Sequence, residues 1–287
     1  MDVTVDSQAR RGIDLHSHST ASDGRLTPTQ LVEAAAEAGV GMLALTDHDT
    51  LDGLAEARQA SLACGITLLS GVEISVRWQQ RTLHVVGLDI DVQAMALCEG
   101  LARLQEQRRQ RAAVIAAKLQ RLGLADALKR ASIQAGGGQI TRTHFARLLV
   151  EDGICKTLQQ AFKQYLASGK QAYAAAQWVP MDEAIRWIVD AGGCAVLAHP
   201  LRYRLGSGAR ARLLEDFREA DGCALEVCCG SSRDADVVLC AAEAGRHQLL
   251  GSIGSDFHGP EQRWLRLGGT PPLPTSVTPV WTRFDVR

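Results

Sequence analysis

A chain of 287 residues is long enough to bury a large core, as one α/β barrel or as two smaller domains. Its 31 Lys+Arg against 32 Asp+Glu leave a formal net charge of -1, which excludes a global field that would recruit nucleic acid or an anionic membrane. It has no run of about 18 apolar residues, and its N-terminal MDVTVDSQARRG lacks the apolar centre of a signal peptide, so a soluble cytoplasmic protein is expected, with no membrane partner, no DNA-binding module and no obligate protein partner.

The first 90 residues alternate strand and helix signals. Ile13 to Leu15 is a short apolar run, Pro28 to Ala38 an amphipathic helix and Met42 to Leu45 a second strand. Thr27 before Pro28 is a helix opening, because the N–H that proline lacks has no partner at that position, and Gly39 closes the element. A helix over Asp52 to Cys64, then strands over Ile66 to Leu69 and His84 to Leu88, continue a pattern that predicts a parallel sheet with helices outside.

From Ala94 to Gln171 the pattern becomes helix after helix, with Leu97, Leu101, Leu104, Ile115 and Leu119 near helical spacing. The triple glycine at 136–138 reads as a hinge or loop between helices. Alternation resumes over Met181 to Ala191, Ala195 to Ala198, Leu213 to Ala220, Ala224 to Val227, Ala235 to Ala244 and Leu249 to Ser252. The expected organisation is an α/β barrel formed by residues 11–93 and 172–287, with residues 94–171 inserted as a helical cap. The cysteines at 64, 98, 155, 194, 223, 228, 229 and 240 form no CxxC pair, and most are expected to be buried reduced thiols.

Six of the eight histidines sit in short clusters with acidic residues. In Asp14-Leu15-His16-Ser17-His18 the alternation of a strand points His16 and His18 to the same side, with Asp14 placed to brace them. Asp23 follows in a Ser-Asp-Gly turn able to fold back over that strand end. Thr46-Asp47-His48 puts a further histidine where a strand meets its loop, the place where active sites of such barrels are built. Glu73 lies just past the next strand, and His84 opens another. Ala198-His199-Pro200 and Ser255-Asp256-Phe257-His258 each follow a strand in the same way. A single histidine at a strand end is ordinarily a hydrogen-bonded core residue. Six beside carboxylates imply cations, because burying so many ionisable groups without counter-charge costs several kcal/mol each, an order-of-magnitude figure.

These motifs resemble those of the PHP (polymerase and histidinol phosphatase) phosphoesterases. Thr20-Ala21-Ser22-Asp23-Gly24-Arg25-Leu26-Thr27-Pro28, Gly71-Val72-Glu73-Ile74-Ser75 and Thr141-Arg142-Thr143-His144-Phe145-Ala146-Arg147 are similar to the bacterial branch that hydrolyses nucleoside 3′,5′-bisphosphates and degrades short RNA from its 5′ end. The resemblance implies a distorted barrel of seven strands with two to three divalent ions at its mouth. His16, His18, Glu73 and Asp256 would hold one ion. Glu73, His84 and His199 would hold a second, and Asp23, His48 and His258 a third. Mn2+ is the expected ion, with Zn2+ or Fe2+ as alternatives.

The implied reaction is phosphoester hydrolysis by a metal-activated hydroxide, with Asp256 and His199 catalytic and with Asp14 and Asp47 orienting the ligating histidines. Substrate contacts are expected from Arg108 and Arg111, which share a helical face, and from Arg142, His144 and Arg202. A guanidinium clamp on a second phosphate favours nucleoside bisphosphates, such as adenosine 3′,5′-bisphosphate, or 5′-phosphorylated RNA. Rival readings are a histidinol-phosphate-type phosphatase, a proofreading module of a polymerase, and an amide or lactone hydrolase. Such amide and lactone hydrolases commonly use a lysine-derived ligand, which the strand-end clusters lack.

Overall fold

The computed structural model describes residues 12–262 and 264–284. Residues 1–11, read above as lacking a signal-peptide core, and the outermost expected barrel positions, 11 and 285–287, lie outside the described residues. Strand β1 (Gly12–Asp14) leads through α1 (Pro28–Glu37) to β2 (Val40–Leu45), and then through α2 (Leu54–Cys64) to β3 (Thr67–Trp78), which turns directly into β4 (Arg81–Leu88). Helices α3 (Met95–Arg121), α4 (Ala127–Ala135), α5 (Arg142–Glu151) and α6 (Leu158–Ala161) follow, the last running into a π-helical turn over Phe162–Leu166. The chain re-enters the sheet at β5 (Val179–Pro180). It then alternates α7 (Met181–Asp190), β6 (Cys194–Leu197), α8 (Ser207–Glu219), β7 (Ala224–Cys229), α9 (Asp234–Arg246) and β8 (Leu250–Gly254). The opening of α1 is the expected one, with the Thr27 hydroxyl accepting from the Gln30 N–H and Pro28 in the first turn.

The strand order is β1-β2-β3-β4-β6-β7-β8, with β5 attached to β3. The two ends of this row meet. The Leu15 N–H donates to Ile253 O at 3.0 Å, the His18 N–H to Phe257 O at 2.9 Å and the Asp256 N–H to His16 O at 2.8 Å. The sheet thereby closes on itself, which satisfies backbone groups that an open edge would leave unpaired.

The sheet is not uniformly parallel, as the alternating pattern suggested: β4 runs antiparallel to both β3 and β6. The cause is the two-residue connection at Gln79 and Gln80, too short for a crossover helix, with Gln79 in the left-handed region at φ 51°. Glu73 and His84 consequently lie within long strands and not at strand ends. Six cysteines, Cys64, Cys98, Cys155, Cys228, Cys229 and Cys240, are free, as the sequence reading expected of most of them, while Cys194 and Cys223 are joined by a disulfide between the neighbouring starts of β6 and β7.

Alternation along the strands sorts the side chains. Val72, Ile74, Val76 and Val85 face the outer helices in one apolar cluster, while Leu15, Ala44, Leu69, Val86, Leu88, Val196 and Ala198 pack together in another. Glu73 follows Leu69 and Gly71 on the same inner face, and His84 shares its face with Val86 and Leu88. The inner column is therefore apolar below and ionisable above.

Helix α3 serves two cores. Leu97, Leu101 and Leu104 pack with Trp178 and Trp187 on the sheet side, whereas Ala112, Ile115, Ala116 and Leu119 pack with Phe145, Leu148 and Leu149 of α5. Packing changes hands between Leu104 and Ala112, inside one continuous helix. Gly100 lets α3 lie against Trp187, since a Cβ there would sit 2.6 Å from the ring. Gly100→Leu should therefore overpack this joint and cost about 2 kcal/mol. Thermal unfolding should show a Tm several degrees below wild type, and an unchanged Tm would exclude the tight joint.

Candidate metal centre

The ionisable residues converge on one carboxylate. Glu73 is buried to 1% exposure in the middle of β3. Its Oε1 lies 2.8 Å from His84 Nδ1, 3.0 Å from His199 Nε2 and 3.3 Å from His16 Nε2; its Oε2 lies 2.9 Å from His48 Nδ1 and 3.3 Å from His18 Nε2. Local backbone places each partner. The β1 chain continues past Asp14 and pairs with β8, so His16 and His18 point inward together. His48 forms a parallel bridge with Glu73, held by the Asp49 N–H to Glu73 O bond at 3.0 Å and the Glu73 N–H to Asp47 O bond at 3.2 Å. His84 stands opposite Ser75 in the antiparallel register.

His199 and Asp256 adopt left-handed backbone conformations, at φ 31° and φ 54°. Such non-glycine strain, on the order of 1–3 kcal/mol, persists where the surroundings fix the residue. For His199 the restraint is visible: its N–H donates to Glu226 Oε2 at 2.5 Å. Gly254 permits the approach of β8, because a Cβ there would lie 2.2 Å from the Cβ of His16.

Three groups of donor atoms each gather within 4.8 Å: His16, His18, Glu73 and Asp256; His18, Asp23, His48 and His258; and His48, Glu73 and His84. The sequence grouped Asp23, His48 and His258 in the same way. The geometry adds His18 to that group, brings His48 to Glu73 as well, and sets His199 against Glu73. Donor atoms sharing a tetrahedral cation at bond lengths of about 2.1 Å lie about 3.4 Å apart. The contacts between expected ligands, from 2.8 to 3.8 Å, bracket that spacing.

Hydrogen bonding does not account for the cluster. Among the described residues His16 Nε2, His18 Nδ1, Asp23 Oδ1, His48 Nδ1, Glu73 Oε2 and His199 Nδ1 are buried without a hydrogen-bond partner. His48 Nδ1 and Glu73 Oε2 are close, but not aligned for a proton between them. Each such orphaned atom costs about 1–3 kcal/mol. A cation accepting these lone pairs removes that cost, so the residues fit a multinuclear divalent centre.

The electrostatics agree. Burial opposes ionisation of Glu73, but His84, His48 and His16 outweigh it and hold its pKa well below the usual range. Burial likewise opposes the charge of Asp256, yet Arg202, His16 and His258 keep it ionised, and Asp23 is held low by His258 and His48 in the same manner. Burial alone would discharge His18, whereas its hydrogen bond to Asp256 and the neighbouring carboxylate of Glu73 lift it to about 10. Burial prevails at His48 and His199, lowering both. Without bound cations, the cluster retains protons on some of its imidazoles to balance its carboxylates.

Several expected supporting residues act differently. Asp14 accepts from the Ser255 N–H at 2.8 Å and the Gly268 N–H at 2.9 Å, and Asp47 from the Ser19 and Ser22 hydroxyls. Both therefore shape the loops that carry ligands, and neither bonds an imidazole among the described residues. The imidazole of His16 is instead set by Glu226 of β7, 2.9 Å from its Nδ1. Sequence reasoning missed Glu226; the available signal was a glutamate inside the apolar strand Ala224 to Val227, where a charge needs a partner. It also missed Asp49, which is fully buried.

A cavity of about 80 Å³ opens between this cluster and the helical segment, lined by Asp23, His48, His84, Arg108, Arg111 and Arg142. Arg108 is more constrained than a free clamp: it is buried, 2.6 Å from Asp49 and 2.8 Å from the Ser75 hydroxyl. Arg111 and Arg142 have no salt bridge among the described residues; Arg111 donates to Ala174 O at 2.9 Å. Burial, Arg142 and Arg108 depress Arg111 to about 9. His144 is absent from this lining, because its Nδ1 accepts from the Thr141 N–H and caps α5. Arg202 stands elsewhere, paired with Asp256.

A family model for the PHP domain matches residues 14–266. The chain is 44% identical over 276 residues to the 3′,5′-nucleoside bisphosphate phosphatase of Chromobacterium violaceum, covering 96% of this chain and 97% of that one. It is 46% identical over 275 residues to the 5′-3′ exoribonuclease Rnm of Escherichia coli, covering 95% and 93% of the two chains. The solved structure of a Chromobacterium violaceum amidohydrolase with bound sulfate and no metal superposes with a TM-score of 0.90 at 44% identity, over 94% of this chain and 95% of that one. With both the strand-end motifs and nearly the whole length matched, this chain belongs to the PHP domain family.

Proposed function

We propose that this protein is a divalent-metal phosphoesterase that removes the 3′-phosphate of nucleoside 3′,5′-bisphosphates, converting adenosine 3′,5′-bisphosphate to the 5′-monophosphate and phosphate. The observation that carries the reading is the pairing of a multi-histidine centre, organised by Glu73, with an adjoining phosphate-sized cavity whose three arginines have one ion pair among the described residues, Arg108 to Asp49. A cation centre is suited to the reacting phosphate, and surplus guanidinium charge to a second one. The relatives that share most of this chain's length carry the names of a bisphosphate phosphatase and a 5′-3′ exoribonuclease.

Bound divalent cations, with Mn2+ as our assignment, neutralise phosphate charge and lower the pKa of water at the site. His16, His18, Glu73 and Asp256 would hold one of them, Glu73, His84 and His199 a second, and Asp23, His48 and His258 a third. Arg202 keeps Asp256 anionic, so this carboxylate serves as the acceptor for the proton of the attacking water and not as an acid. His199 is the second residue we assign to the reacting centre. Arg111 and Arg142, with Arg108 behind them, grip the 5′-phosphate and use that remote contact to align the 3′-phosphate. Residues 94–171 act as the substrate cap.

Elemental analysis of protein purified without chelators should find two to three divalent ions per chain, and chelation should abolish turnover. Trace metal with chelator-resistant turnover would sink the reading. Glu226→Gln, which weakens the support of His16, should lower metal affinity or activity by about 10- to 100-fold while leaving the fold intact.

Wild-type protein should hydrolyse adenosine 3′,5′-bisphosphate far faster than adenosine 3′-monophosphate. Arg111→Ala or Arg142→Ala should lose about ten- to a hundred-fold in kcat/KM on the bisphosphate, corresponding to about 1.5–3 kcal/mol, with little change on the monophosphate. Equal wild-type efficiency on both nucleotides would remove the clamp and leave the metal centre standing.

A further inference from the structure

A second cavity, of about 410 Å³, meets the same centre from another direction. It shares no lining residue with the arginine cavity described above. It touches the centre through His199, which lies 3.0 Å from Glu73, and Glu226, which lies 2.9 Å from His16. Its outer wall carries Arg202, Arg204 and Arg233 with the hydroxyls of Ser231 and Ser232. Two of these cations are engaged, Arg202 with Asp256 and Arg233 with Asp236, which also lines the cavity. Arg204 has no ion pair among the described residues and is exposed. The volumes differ in kind: about 80 Å³ suits a phosphate group, whereas about 410 Å³ falls in the range of pockets that enclose a nucleoside-sized ligand.

We propose that this second cavity is the subsite for the nucleotide downstream of the scissile phosphate when the substrate is a 5′-phosphorylated RNA. The inference rests on the bisphosphatase reading above, which places the reacting phosphorus at the centre and the 5′-phosphate among Arg108, Arg111 and Arg142. In a bisphosphate that phosphorus bears three terminal oxygens besides the 3′-ester oxygen. In RNA one of them is esterified to the next nucleoside, which needs room on a side of the centre that the clamp does not occupy. His199 and Glu226 mark the opening on that side, and Arg204 and Arg233 stand where the following backbone phosphate would pass.

The chemistry is the same for both substrates. The oxygen of water bonds to phosphorus, and the bond from phosphorus to the 3′-oxygen breaks. The 3′-oxygen keeps the bonding pair and takes up one proton. In RNA the phosphate stays on the downstream fragment as its new 5′-phosphate and the second proton of the water is released, whereas from a bisphosphate the group departs as inorganic phosphate, which keeps that proton. A shortened RNA thus leaves the second cavity bearing the group that the arginine cavity recognises.

The test compares kcat/KM on a 5′-phosphorylated dinucleotide and on adenosine 3′,5′-bisphosphate for the metal-loaded wild type, Arg204→Gln, Arg233→Gln and Ser231→Trp. A parallel photocrosslink uses the dinucleotide with 4-thiouridine as its second residue and a phosphorothioate linkage. We expect the dinucleotide-to-bisphosphate ratio to fall about tenfold for each arginine variant, as for loss of one charge-assisted contact, and further when tryptophan fills the cavity. Crosslinks should map to peptides containing residues 199–204 or 229–236. Wild-type hydrolysis of the bisphosphate with an unchanged ratio in all three variants, or crosslinks confined to α3 and α5, overturns the subsite and leaves the bisphosphatase reading intact. A wild type inactive on both substrates overturns that reading, and this inference with it.

Discussion

One carboxylate organises this structure. Glu73 is buried at the centre of five imidazoles, delivered by β4 and by the segments that follow β1, β2 and β6. Such an anion in a closed sheet is tolerable only with positive charge around it, from protons or from cations. The apolar lower half of the inner column, including Leu69, Val86 and Leu88, supplies the rigidity that holds those partners at fixed distances. The ionisable upper half forgoes part of the packing that the interior could otherwise have made.

The hairpin of β3 and β4 is the topological feature that makes this possible. An all-parallel arrangement would bring ligands only from the ends of strands. Reversal at Gln79 and Gln80 sets His84 beside Ser75 and puts its imidazole next to Glu73. The same long hairpin places the end of β4 directly before α3. The helical segment therefore leaves the sheet at the apolar end of the inner column and reaches the centre at Arg108, which bonds Asp49 and Ser75. It returns to the sheet through β5, which pairs with β3 at Val76 and Arg77.

The arginines facing the centre are held by unequal means. Arg108 is neutralised by Asp49 and fixed by Ser75, and both Arg108 and Arg111 lie over Trp178, at 5.2 and 5.4 Å. Arg142 lies over Phe162 in the π-helical turn. Aromatic faces carry these cations without cancelling their charge, so an incoming anion meets side chains already positioned. That pre-organisation lowers the conformational cost of binding. At the other end, Asp256 is shared between Arg202 and the histidines, which couples the second cavity electrostatically to the centre.

The sequence by itself determined the local parts. The Thr27-Pro28 opening of α1, the long helical stretch after residue 94 and the apolar spacing of α3 are read from nearest neighbours along the chain, because capping and helical periodicity are short-range effects. The histidine-carboxylate motifs were equally legible, since strand alternation fixes which residues share a face. Tertiary structure decided what depends on strand pairing. It made β4 antiparallel and joined Cys194 to Cys223. It turned Asp14 and Asp47 toward loop backbone and hydroxyl groups, and gave the support of His16 to Glu226, 210 residues away. It also separated the expected arginines, sending Arg108, Arg111 and Arg142 to one cavity and Arg202 to another. Those assignments rest on which surfaces face one another after closure of the sheet, and spacing along the chain carries no record of that.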